Sequence, residues 1–160
     1  MSLPVYLDNH ATTPCDPQVV EAMLPYFTEK FGNAASRTHL YGFQAKAAVE
    51  LAREQVAVLI GSSPKEILWT SGATESNNLA ILGVARANID RGRHVITTAI
   101  EHSSVLDPVR HLTTEGFEAT ILPVDPGGRD RMEELRVSLR DETVLVSVMD
   151  TNNDLGTLQP

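Results

Sequence analysis

The chain has 160 residues, 13 Lys and Arg against 21 Asp and Glu, and a formal net charge of -8 at pH 7. That length carries one domain with a real core, and the acidic balance counts against nucleic acid, whose phosphates call for clustered Lys and Arg. Apolar residues at 42% and charged residues at 21% are ordinary globular proportions; no apolar run reaches the length of a membrane span, and Cys15, the single cysteine, allows neither a disulfide frame nor a cysteine-based metal site.

The opening "MSLPVYLDNHATTP" has no basic head and no apolar core, so it does not read as a signal peptide. Met1-Ser2-Leu3 has the form of an expression-vector remnant, and a cytoplasmic location is expected. Residues 1–15 are expected to be extended. Asp16-Pro17 reads as N-cap plus first helical residue of a helix to about residue 30, bent by Pro25. "FGNAASRTHLYG" reads as a polar loop. Apolar residues then recur at helical spacing over 44–60, closed by Gly61 as a left-handed cap.

From there strand and helix alternate: "EILWT" as strand, 74–90 as helix, "HVITTA" as strand, 103–115 as helix. "FEATILPV" follows as strand, 132–140 as helix and "TVLVSVM" as strand. The crossovers are long enough to return each strand parallel, and the apolar strands suit helices on both faces. The expected fold is therefore α/β with a mostly parallel sheet, residues 16–160 forming one domain after the 1–15 segment.

In such a sheet the strand-to-helix loops share the carboxyl edge, where ligands bind. That edge is expected to carry Ser71-Gly72-Ala73-Thr74, then Glu101-His102-Ser103, then Asp150, Asn152, Asn153 and Asp154. "DPGGRD" also falls there and reads as a surface turn. SGAT lacks the Lys and second glycine of a Walker loop; it is either a helix cap or an anion seat built from helix N–H groups, close backbone approach at Gly72 and the Thr74 hydroxyl. His102 is either a helix-start histidine bonded to nearby backbone or a ring lying over a planar ligand and exchanging protons with it. Asn152-Asn153 is either a turn or an amide donor to a ligand. Cys15 reads as a small packing residue, and Arg37 and His39 as fixing a loop or subunit contact. Glu101-His102 lacks a second His or Cys at ligand spacing and is not read as a metal site.

In order and spacing, "YLDNHATTP", "FGNAASRTH", "SGATESNNLAI", "VITTAIEHSSVLD" and "DETVLVSVMDTNNDLGTLQP" resemble the amino-terminal part of cysteine desulfurases of the NifS/IscS type, pyridoxal-phosphate enzymes of the class V aminotransferase family. The resemblance covers essentially the whole chain and less than half of a typical member. It implies a partial fold-type I large domain, with Ala73 and Thr74 holding the cofactor phosphate. It implies His102 stacked on the pyridine ring with acid–base roles, and Asn153 near the ring oxygen and the substrate carboxylate. The implied reaction removes sulfur from L-cysteine, leaving alanine and an enzyme persulfide whose sulfur goes to iron–sulfur cluster or thio-cofactor assembly. A sulfur-acceptor or scaffold protein, and a homodimer or complementing chain, are the implied partners.

Some family positions are not met. The chain stops before the Asp that pairs with the pyridinium, the Schiff-base Lys and the nucleophilic Cys; Lys30, Lys46, Lys65 and Cys15 match none of them. Asp150 stands where many members have His or an aromatic, and Asp154 where Glu is common. Alone, the chain is expected to hold part of a cofactor site without performing the reaction. The alternative is a non-catalytic piece or split subunit that binds a phosphorylated ligand or a partner chain.

Overall fold

The computed structural model describes residues 4–160, so Met1-Ser2-Leu3 lies outside the described residues. The chain divides into two compact units, Met1–Trp69 and Thr70–Pro160. The first is helical. Helix α1 spans Pro17–Thr28; the Asp16 carboxylate accepts the Gln18 N–H at 2.8 Å, and Pro17 occupies the first turn, where a missing N–H costs nothing. Helix α2 spans Leu40–Ile60 and ends on Gly61 at φ 70°, ψ 28°, as expected. Its start differs: His39 is the N-cap, its Nδ1 accepting the Gly42 N–H at 3.2 Å, so Leu40 to Gly42 belong to the helix and not to the loop. Cys15 is exposed, contrary to the packing role expected of it.

"EILWT" is not a strand. A short 3-10 turn covers Pro64–Glu66, and residues 67–70 stay unpaired. The extended pattern is present at Ile67 (φ -89°, ψ 121°), but a strand is defined by its hydrogen-bonded neighbour, and none exists among the described residues.

The second unit is the α/β part. Helix α3 (Ala73–Ala87) leads to β1 (His94–Thr98), α4 (Ser103–Thr114), β2 (Glu118–Leu122), α5 (Met132–Ser138) and β3 (Thr143–Ser147). The sheet runs in the order β2-β1-β3, all parallel. A short antiparallel pair follows, β4 (Thr151–Asn152) with β5 (Thr157–Leu158). All five residues of β1 are buried, as a central parallel strand demands. On one face Val95, Ala119 and Leu145 pack with Ile81 and Ala85 of α3, Val105, Val109 and Leu112 of α4, and Phe117. Each fully buried aliphatic side chain there contributes about 1.5–3 kcal/mol. Among the described residues no helix is long and apolar enough to cross a membrane.

His94 closes the amino end of the sheet. It is buried, and its two ring nitrogens bond to hydroxyls on either side, Nδ1 to Thr143 and Nε2 to Thr120, both at 2.8 Å. Burial first, then the Arg140 guanidinium, pushes its pKa below the ordinary value, against the smaller opposing pull of Glu118 and Glu142. The unfolded ring therefore takes a proton more readily than the folded one. This contribution to stability is complete above about pH 6.5 and falls as the pH drops below it. Urea unfolding midpoints between pH 8 and pH 5 should show the loss, and His94→Gln should remove it. Burial raises the Glu101 carboxyl, which gives a slope of the opposite sign, so the difference between parent and variant isolates His94. Equal slopes in the two proteins would contradict the assignment.

Candidate functional site at the carboxyl edge

The chain leaves β1 for β2 on one side, while β3 lies on the other. The carboxyl ends of β1 and β3 thus flank the point where the connections diverge, which is where open α/β sheets take ligands. Three segments meet the sheet there.

The first is the start of α3. Gly72 is its N-cap, at φ 155° and ψ -175°, and supplies no side-chain cap. That backbone region is essentially open only to glycine, and a Cβ at 72 would meet nothing within 4 Å. Ala73 and Thr74, both exposed, are the first two helical residues. Uncapped first-turn N–H groups, the positive end of the helix dipole and a nearby hydroxyl suit a phosphate-type anion. The turn carries one negative group of its own, Glu75. Its Oε2 accepts both the N–H and the hydroxyl of Ser71 at 2.6 Å, and these bonds hold its pKa below the ordinary value. Glu75 is thereby bound to the loop preceding the helix.

The second segment joins β1 to α4. His102 is the N-cap of α4 and exposed; its Nδ1 accepts the Ser104 N–H at 3.1 Å and lies 2.8 Å from the Ser104 hydroxyl. Asn77, one turn along α3 from Thr74, donates from Nδ2 to that hydroxyl at 2.9 Å. The starts of α3 and α4 are thus bonded side by side. At the other ends Arg86 and Glu115 pair through Nε–Oε2 at 3.0 Å and Nη2–Oε1 at 2.5 Å, so the two helices run parallel.

The third segment follows β3. Asn152 is buried; its Nδ2 donates to the Ile100 carbonyl at 3.1 Å and its Oδ1 accepts the Leu155 N–H at 2.9 Å. The buried Glu101 carboxylate accepts the Met149 N–H at 2.5 Å. Its pKa is raised chiefly by burial and also by the Asp130 carboxylate, against the lowering effect of the Met149 bond. These bonds tie the loop after β3 to the loop after β1. Asn153 is exposed on the turn between β4 and β5, its Nδ2 3.4 Å from Asp154 Oδ1.

Ala73, Thr74 and His102 therefore stand at neighbouring helix starts, and Asn153 lies on the loop bonded to the one that carries His102. Of the adjacent asparagines, Asn152 is the structural one. "DPGGRD" is more than a surface turn: Gln159 Nε2 donates to the Gly128 carbonyl at 3.0 Å and the Thr157 hydroxyl to the Gly127 carbonyl at 2.9 Å, pinning it to β5. Asn77 and Ser104 escape a sequence reading because the bond between them spans 27 residues; the tandem Asn marked Asn152, but not its bond to the Ile100 carbonyl, 52 residues away.

A family model described as aminotransferase class V matches residues 5–160. The chain is 53% identical over all 160 residues to a cysteine desulfurase IscS of Anaeromyxobacter sp. (strain Fw109-5), spanning 40% of that protein's length. Among solved structures it is similar to a NifS-like protein, at 44% identity and TM-score 0.88, covering 99% of this chain and 43% of that one. It is also similar to SspA in complex with cysteine, at 37% identity and TM-score 0.84, covering 97% of this chain and 44% of that one.

Proposed function

The chain belongs to the class V aminotransferase family, and from that premise we propose that it forms the phosphate-holding side of a pyridoxal-phosphate-dependent cysteine desulfurase site. The activity it serves is removal of sulfur from L-cysteine, leaving alanine and an enzyme persulfide for iron–sulfur cluster or thio-cofactor assembly. The relative named cysteine desulfurase and the neighbour bound to cysteine support this reading. Its further parts are a cytoplasmic setting, a homodimer or complementing chain, and a sulfur-acceptor or scaffold protein as partner.

The observation that carries the proposal is the bonded convergence of the α3 start, the α4 start and the loop after β3. First-turn N–H groups without a side-chain cap, beside a glycine whose Cβ position is open, fit a phosphate. The N–H groups of Ala73 and Thr74 and the Thr74 hydroxyl bind it and so fix the cofactor's position. His102 would meet the cofactor ring with its imidazole, and Asn153 would donate to the substrate carboxylate. When bound, the cofactor supplies an electron sink for charge developing on the substrate.

Thr74→Ala removes one hydrogen bond to a charged group and is expected to weaken pyridoxal phosphate binding by about tenfold or more. Absorbance titration of the 160-residue chain reads this directly. Competition by inorganic phosphate tests whether the lost affinity belongs to the phosphate. An unchanged affinity in Thr74→Ala would overturn the phosphate seat.

A further inference from the structure

Two residues outside the proposed ligand contacts act on the imidazole at the rim. The Ser104 main-chain N–H can only donate, so the His102 Nδ1 it reaches at 3.1 Å presents a lone pair. The Ser104 hydroxyl lies 2.8 Å from the same nitrogen. It also accepts from Asn77 Nδ2 at 2.9 Å, which occupies an oxygen lone pair and leaves the hydroxyl proton to point at Nδ1. Ser104 is buried and Asn77 half-buried, so water competes weakly for these bonds. The parallel pairing of α3 and α4, fastened at the far end by Arg86 and Glu115, holds the two partners in register.

We infer that Asn77 and Ser104 are positioning residues that fix His102 as the Nε2–H tautomer, so that the rim offers its ligand an imidazole donor. Both donors converge on Nδ1, and the neutral ring's one proton is left on Nε2. At that atom the neutral ring presents an N–H to the ligand and no lone pair, so it acts there as a hydrogen-bond donor. The functional consequence rests on the proposed place of His102 beside the ligand; the tautomer itself does not.

The test uses the 160-residue chain labelled with ring nitrogen-15 histidine and long-range proton–nitrogen correlation at about pH 8, where an ordinary histidine is neutral. His102→Gln identifies the His102 signals by their disappearance. The expected spectrum has Nδ1 at the unprotonated end of the nitrogen range and Nε2 at the protonated end. Ser104→Ala removes the hydroxyl and keeps the main-chain donor, so it should narrow that separation in part, and Ser104→Thr should restore it. Asn77→Asp, which can only accept from the serine hydroxyl, should narrow it as well. A purely structural pair would lower the melting temperature without moving the ring nitrogens. An averaged or Nδ1–H pattern in the parent overturns the inference, as does an unchanged separation in Ser104→Ala and Asn77→Asp. The pyridoxal phosphate titration stands apart: the expected tautomer with Thr74-independent binding would sink the phosphate seat and leave the tautomer assignment standing.

Discussion

Gly92→Ala is expected to destabilise the second unit by about 3 kcal/mol, among the largest effects of any single methyl group in this chain. Gly92 sits in the short connection from α3 to β1, where a Cβ would lie 2.2 Å from the Glu142 carbonyl oxygen and 2.5 Å from its Cα. Those atoms are main chain and cannot rotate aside. The same Glu142 oxygen accepts the His94 N–H at 3.0 Å, so relief means prising β3 from β1 at its first pair. The pairing there already carries an irregularity between His94 and Val95 and has little slack. Gly83→Ala supplies the control: it lies on an exposed stretch of α3 with nothing within 4 Å of the added methyl, and should stabilise by about 0.5–1 kcal/mol. Denaturant unfolding compares the two. A neutral Gly92→Ala would mean that the α3–β1 connection is set differently.

Asn152→Ala is expected to cost about 1–3 kcal/mol, because it empties a buried site and takes away the partners of the Ile100 carbonyl and the Leu155 N–H. Asn153→Ala, one residue on and exposed, should fall within about 0.5 kcal/mol of the parent. The separation between them is local as well as energetic. Hydrogen exchange in Asn152→Ala should quicken over residues 99–102 and 149–156 while β1, fully buried, keeps its protection. Asn153→Ala should leave that pattern unchanged. If both variants behave alike, the division of labour within the asparagine pair is wrong.

The parts legible in the sequence were those with a local cause. Asp16-Pro17 and Gly61 mark helix ends by side-chain and backbone chemistry that needs no partner. "HVITT" reads as a buried strand because a central parallel strand is apolar or β-branched nearly throughout. The α2 start was misread for two reasons. Histidine is an uncommon cap, and Gly42 in a helix discourages the assignment; it stands there because a Cβ would come 2.3 Å from the Ser36 carbonyl oxygen, a contact no local pattern reveals. "EILWT" failed in the opposite sense, its composition suiting a strand whose neighbour is not among the described residues. At the rim, Thr74 and His102 were legible as helix starts. The Asn77–Ser104 bond was not, since it spans 27 residues and depends on how two helices are rotated about their axes.

The placing of β1 between two later strands has a kinetic consequence. Its hydrogen bonds are completed only by Glu118–Leu122 on one side and Thr143–Ser147 on the other. A chain emerging from the ribosome therefore carries five residues destined for the interior whose first partner, Glu118–Leu122, begins twenty residues beyond Thr98 and whose second, Thr143–Ser147, is complete only at residue 147. Such distant pairings make for slow collapse and a prolonged interval in which a sticky ribbon is open to other chains.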